Sequence, residues 1–192
     1  MSYQTYITEA LVCGSFDRNT SDKVFLLFTR EAGMLYATAR SVREERSKQR
    51  SALQEFSQIK VALIKGKQGW RVGSTVAGLN YFSLAESREA RGSVVMIFKM
   101  LRRFIQGEEP SPKLFDFCVE AFIELTKNIQ DRSFLELIIQ FKIMIDLGYI
   151  DEKDIPAEFT GSHFSDIDLY KDKLSAVKLK SLLDKAIENS HL

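Results

Sequence analysis

The chain has 192 residues, 45% hydrophobic and 28% charged, with a net charge of +1. That length and balance suit one large or two small globular domains and exclude an intrinsically disordered chain. The near-zero total excludes a uniformly basic surface, yet residues 1–80 carry 12 Lys+Arg against 7 Asp+Glu, whereas residues 81–192 carry 15 against 19. A basic half followed by an acidic half is what a binding domain joined to a partner domain produces.

The first 80 residues read as strands. Tyr3–Cys13, Lys23–Thr29, Met34–Ala39, Gln58–Ile64 and Trp70–Ala77 are rich in Val, Ile, Thr, Phe and Tyr. Ile7, Leu11 and Cys13 share one parity, as do Ile59, Val61 and Leu63, whereas 23–28 is apolar on both parities, as in a strand covered on both faces. Polar turn residues run from Asp17 to Asp22, Gly33 supplies a hairpin glycine, and Gly66-Lys67-Gln68-Gly69 closes a second hairpin. Five strands in about 80 residues fit a five-stranded OB-type barrel. Strand pattern alone does not separate that from an SH3-like barrel.

The remainder reads as helix, so the fold class is α+β, with a barrel over residues 1–80 and a helical bundle over 81–192. Ser83 and Glu86 form a capping-box pattern opening a helix to about Gln106. Ser111-Pro112 places a proline at the first position of a helix to about Asn128. Asp131 caps a third helix, which ends at Leu147 with Gly148 as its C′ glycine. A looser stretch from Asp151 to Ser165 precedes a final helix from Asp166 or Lys171 to Asn189, with apolar spacing through Leu174, Val177, Leu182 and Ile187.

No catalytic constellation assembles. His163 and His191 have no Cys or His neighbour at ligand spacing, and no phosphate-cradling or nucleophile-elbow motif occurs. Cys118 lies among Leu114, Phe115, Val119 and Phe122 on an amphipathic helix, the setting of a buried, inert thiol. Cys13 and Cys118 support neither a disulfide framework nor a zinc site and fit reduced thiols in a cytoplasm. No signal peptide is expected from Met1 to Thr8, and the run 134–147 is too short and too charged to span a bilayer. The expectation is therefore a soluble, non-enzymatic protein without metal or cofactor.

Basic residues are concentrated in three places. Arg40, Arg43, Arg46, Lys48 and Arg50 fall within eleven residues after the third strand, opposed by Glu44 and Glu45. A loop of this kind on a barrel rim tracks a phosphate backbone through counterion release, or else it simply solvates the surface. The second hairpin adds Lys65, Lys67, Trp70 and Arg71. Trp70 is either a base-stacking platform or, as its alternation with Val72 favours, a core residue. On the first helix Arg88, Arg91, Lys99 and Arg102 fall within about 80° of one another, with Arg103 beside them, on the side away from the apolar Val94, Ile97, Leu101 and Ile105.

These residues resemble a known family. Thr8-Glu9-Ala10-Leu11-Val12 resembles the first strand of RecO, the bacterial recombination mediator, and Ser21-Asp22-Lys23-Val24 and the stretch Leu27 to Gly33 continue the match. Ala39-Arg40-Ser41-Val42-Arg43 is similar to the family's Ala-Arg-Gly-Ala-Arg, and Leu53-Gln54-Glu55-Phe56-Ser57 to its Leu-Gln-Pro-Phe-Ser. The segment Phe134 to Tyr149 resembles the family helix that ends in Leu-Gly-Tyr. The resemblance covers residues 5–150 and implies an OB barrel followed by a helical domain. It further implies binding of single- and double-stranded DNA, strand annealing, and work with RecR to load RecA onto DNA coated by single-strand-binding protein, without enzymatic turnover. The chain departs from the family in lacking a four-cysteine zinc module, in a shorter second half, and in Ser41, Glu55, Glu44 and Glu45. The DNA-contacting set expected is Arg40, Arg43, Arg46, Lys48 and Arg50, then Lys67, Arg71, Arg88, Arg91 and Arg102. The competing expectation is an adaptor that binds no DNA and docks a partner in an apolar groove lined by Phe134, Ile138 and Phe141, with Lys142 nearby.

Overall fold

A computed structural model describes residues 4–151, 153 and 173–190. Most of the 151–165 stretch, His163, His191 and the start of the last helix lie outside the described residues. The chain divides into two compact units, Met1–Thr126 and Lys127–Leu192.

The first unit begins with five strands: β1 (Thr5–Asp17), β2 (Lys23–Thr29), β3 (Gly33–Ala39), β4 (Ser57–Gly66) and β5 (Gly69–Asn80). They close in the order β1-β2-β3-β5-β4, an OB-type barrel. The closing contact is parallel and short, Ala37 opposite Trp70 and Thr38 opposite Arg71. Inside lie Ala10, Val12, Phe25, Leu27, Leu35, Ala37, Ile59, Val61, Leu63 and Trp70. Trp70 is therefore core, 7% exposed, with Tyr6 edge-on at 5.3 Å and Lys65 Nζ 4.7 Å from its ring centre. That removes it as an exposed stacking surface.

β1 runs four residues beyond the expected strand, because Gly14 to Asp17 go on pairing with β2 past a bulge between Val12 and Gly14. The expected parity fails here. Ala10 and Val12 face the barrel core, Leu11 and Cys13 are buried as well, and Ile7 is exposed. Helices explain the second buried face: α2 (Arg88–Phe104) packs on β1, and Phe115 of α3 (Pro112–Thr126) meets Phe28 of β2 at 5.5 Å. An aromatic layer joins barrel to helices, with Tyr81 on Phe122 at 5.0 Å, Phe98 on Phe122 at 4.3 Å and Phe56 on Phe98 at 5.3 Å.

The helix expected from Ser83 is broken in two. Asn80 caps a single turn, α1 (Tyr81–Leu84), by accepting from Ser83 N, and Ala85 leaves the helix in an extended conformation. Ser87 then caps α2 by accepting from Ala90 N. Glu86 is no capping-box partner; its backbone N–H donates to Thr126 O at 2.9 Å.

The second unit holds α4 (Arg132–Asp146) and α5 (Lys173–Asn189). Asp131 occupies the cap position of α4 without a side-chain cap bond, contrary to expectation. The other end is as expected. Gly148 adopts φ 75, its N–H donates to Ile145 O, and Tyr149 N donates to Met144 O, a Schellman closure. Among the described side chains of α5 the buried ones are Leu179, Leu183 and Ala186, whereas Val177, expected on the apolar face, is 69% exposed. The series 179, 183, 186 follows i, i+4, i+7 on one face, with Leu182 and Ile187 half-buried beside it. No helix among the described residues is long and apolar enough to cross a membrane.

Both cysteines are buried, and neither is in a disulfide. Burial pushes the Cys13 thiol up to about 12, against a smaller opposing effect of the Phe28 backbone. A thiol whose folded pKa is raised contributes stability that is complete below its unfolded value, near 9, and is lost as pH rises toward the folded value. The stability advantage of wild type over Cys13→Ala is expected to shrink by up to about 1.4 kcal/mol per pH unit above 9, read by urea denaturation. A pH-independent difference would contradict this.

Candidate nucleic-acid interface

The polar side chains of the β1–β2 connection bond locally. Asn19 Oδ1 accepts from Ser21 N at 2.9 Å and Asp22 N at 2.7 Å, and Asn19 Nδ2 donates to Asp22 Oδ2 at 3.0 Å. The other oxygen of Asp22 accepts from Ser41 N at 2.9 Å, tying this connection to the start of the basic loop. The Ser41 N–H, then the Asn19 amide, hold the Asp22 carboxyl below the usual range, with Arg40 and Arg18 adding to it. Ser41 itself sits at φ 50, in the left-handed region that favours glycine.

The basic loop is a cap on the barrel, not a free arm. Successive turns run through Glu44 N to Ser41 O, Ser47 N to Glu44 O, Arg50 N to Ser47 O and Leu53 N to Gln49 O. Val42 and Leu53 are buried in the barrel core, and Gln49 Nε2 donates to Gly73 O of β5 at 2.7 Å. This anchoring sorts the predicted cations. Arg40, Arg46 and Arg71 line one cleft with Glu44 and Gln49. Arg40, Lys67 and Arg71 line a second cleft with Arg18 and Asp22. Arg43 and Arg50 fall on another flank, with Asp17, Lys23 and Glu55. Arg43 is structural: its Nη1 reaches Asn19 O at 2.8 Å and Asp17 Oδ2 at 3.2 Å. Lys48 is exposed on the loop.

Barrel closure brings the first two clefts together. Pairing Thr38 with Arg71 sets β5 beside β3, and the two-residue turn at Lys67 and Gln68 projects next to Arg18 and Arg40. Arg18 was not among the expected residues. Its only sequence signal is its place in a polar connection between strands; its Nη1 donates to Thr38 Oγ1 at 2.9 Å.

The stripe on α2 divides. Arg88, Arg91, Lys99 and Arg102 are all exposed, as expected. Arg102 reaches over β1 at Gly14, where a Cβ would lie 3.2 Å from its Cζ. Arg91 lies about 16 Å further up the helix, its Cζ 5.9 Å from the Phe82 ring centre. In the second unit Phe141 is buried, whereas Phe134, Ile138 and Lys142 are half-buried. The third wall of the expected apolar groove is thus core.

Residues 1–74 match the family model described as the N-terminal part of recombination protein O. The chain is 26% identical over 144 residues to the DNA repair protein RecO of Pelotomaculum thermopropionicum, covering 75% of this chain and 56% of that protein. It is 27% identical over 144 residues to the protein of that name from Desulfitobacterium hafniense, covering 75% and 52%. To the Myxococcus xanthus protein it is 26% identical over 113 residues, 58% of this chain and 46% of that one. The chain spans about half the length of these curated relatives.

Proposed function

We propose that this chain, similar over residues 1–74 to the N-terminal part of recombination protein O and over about three quarters of its length to DNA repair proteins RecO, is a DNA-repair and recombination mediator whose barrel holds DNA by its backbone. The observation that carries this reading is the gathering of Arg18, Arg40, Arg46, Lys67 and Arg71 around two adjoining clefts on one end of the barrel. Cations spaced around an open cleft neutralise successive phosphates without reading bases. Arg102, over β1, extends this track, and Lys48 and Arg50 add to the field around it. Arg43 organises the loop, and Arg88 and Arg91 are distal contacts for a longer strand.

In this reading the protein binds single- and double-stranded DNA, anneals complementary strands, and works with a RecR-like protein to load RecA onto DNA coated by single-strand-binding protein. The functional division lies near residue 80: a basic barrel for DNA, and helices of net charge −4 for protein partners. It acts without turnover, in the cytoplasm.

Fluorescence anisotropy of a labelled oligonucleotide tests the electrostatic core of this reading. Five phosphate contacts on a single strand give a slope of log affinity against log salt of about −3.5, so affinity should fall roughly 100-fold between 50 and 200 mM salt. Affinity that does not change over that range would sink the mechanism.

A further inference from the structure

Phe25 and Leu27 of β2 point into the barrel, so Val24, Leu26 and Phe28 point outward. Their strand partners define three outward rows across β1, β2 and β3: Leu11-Phe28-Met34, Gly14-Leu26-Tyr36 and Phe16-Val24-Thr38. The first row is buried, with Phe28 against Phe115 of α3. The middle row is half covered, because Gly14 has no side chain and the Arg102 guanidinium occupies that space. The end of the face is open. Phe16 is 54% exposed and Tyr36 is 60% exposed, and their rings meet over β2 at 6.0 Å and 63°.

Cations stand at both ends of this aromatic pair. Arg102 lies over Gly14 in the row of Tyr36, and Arg18 bonds to Thr38 in the row of Phe16. Arg18 also lines the cleft that holds Arg40, Lys67 and Arg71, so the open face is continuous with the basic rim. Shielding Val24 and Leu26 needs only apolar cover, which leucine would give with less exposed ring surface. Two exposed rings between guanidinium groups fit a ligand with flat apolar faces and regularly spaced negative charge. A duplex hides its base faces in its own stack; a single strand does not.

We propose that Phe16 and Tyr36 form a stacking platform for unpaired bases of single-stranded DNA, with Arg18 and Arg102 on the flanking phosphates. The proposal rests on the DNA-binding reading above and adds to it a means of preferring single strands. The basic rim holds any phosphate backbone, and the platform rewards only exposed bases.

The test uses the full chain and three fluorescent probes of equal length: oligo-dT, the same strand with abasic sites throughout, and a duplex. Wild type should bind oligo-dT about tenfold more tightly than the abasic strand, since each stacked base contributes an effect of that order. The double substitution Phe16→Leu/Tyr36→Leu keeps apolar cover and should remove that preference, leaving the abasic and duplex affinities unchanged. If wild type binds oligo-dT and the abasic strand equally, with steep salt dependence, the platform is wrong and the DNA-binding reading stands. Uniform weakening of the variant on all three probes, or no change on any, also overturns the platform. If wild type binds none of them at low salt, both readings fail.

Discussion

Gly33→Ala is expected to destabilise the first unit by about 3 kcal/mol or more, measured by urea denaturation. Gly33 opens β3 at φ 65, a conformation that costs a non-glycine residue about 1 kcal/mol before any contact is considered. The added Cβ would also lie 2.4 Å from Glu109 O and 2.6 Å from Glu109 N. These are backbone atoms, so no side chain can swing aside. The segment they belong to is fixed, with Met34 N donating to Gly107 O at 2.9 Å and Lys65 Nζ bonding Glu108 at 3.0 Å. Relief requires moving that segment off the barrel, at a further cost of about 1–3 kcal/mol for overpacking. Gly69→Ala is the control. Gly69 has φ 96 but nothing within 4 Å of an added methyl, so conformational strain acts alone there, and a loss of only about 1 kcal/mol is expected. Equal losses at the two positions would refute the steric argument.

The double reversal Arg40→Glu/Arg71→Glu is expected to weaken DNA binding by about 100-fold at 50 mM salt and to make the salt slope shallower by about 2. Both residues line both rim clefts, so reversing them removes the shared wall of the track and adds repulsion. Circular dichroism and thermal melting should show a folded protein, because the loop is anchored elsewhere, by Val42, Leu53 and Gln49. Arg43→Glu makes the useful contrast. Arg43 bonds Asp17 and Asn19, so its reversal should lower stability and reach DNA only through a disordered loop. Unchanged affinity in the folded double variant would remove the rim as the binding site.

How much of this was legible in the residues differs from element to element. Local chemistry determined the elements themselves. β-branched and aromatic runs broken by turn residues gave five strands, Pro112 opened a helix, and Gly148 closed one, because these signals act within a few residues of themselves. The family likeness also lay in the sequence, as did the basic character of residues 40–50. What sequence reading missed came from competition between neighbours. Asn80 and Ser87 took the caps that the spacing of Ser83 and Glu86 suggested, because the chain bends at Ala85 and ties Glu86 N to Thr126 O.

The site belongs to tertiary structure. Periodicity could not show that Trp70 would close the barrel from within while Phe16 and Tyr36 stayed outside it, since that depends on the bulge between Val12 and Gly14 and on which outward row the helices cover. Nor could spacing unite Arg18, Arg40, Lys67 and Arg71, which lie up to 53 residues apart. Closing a sheet into a barrel places residues by strand register, so side chains remote in sequence become neighbours on one rim. The sequence by itself determined that this protein has a basic barrel; only closure decided which cations face the same cleft and which aromatics remain in water.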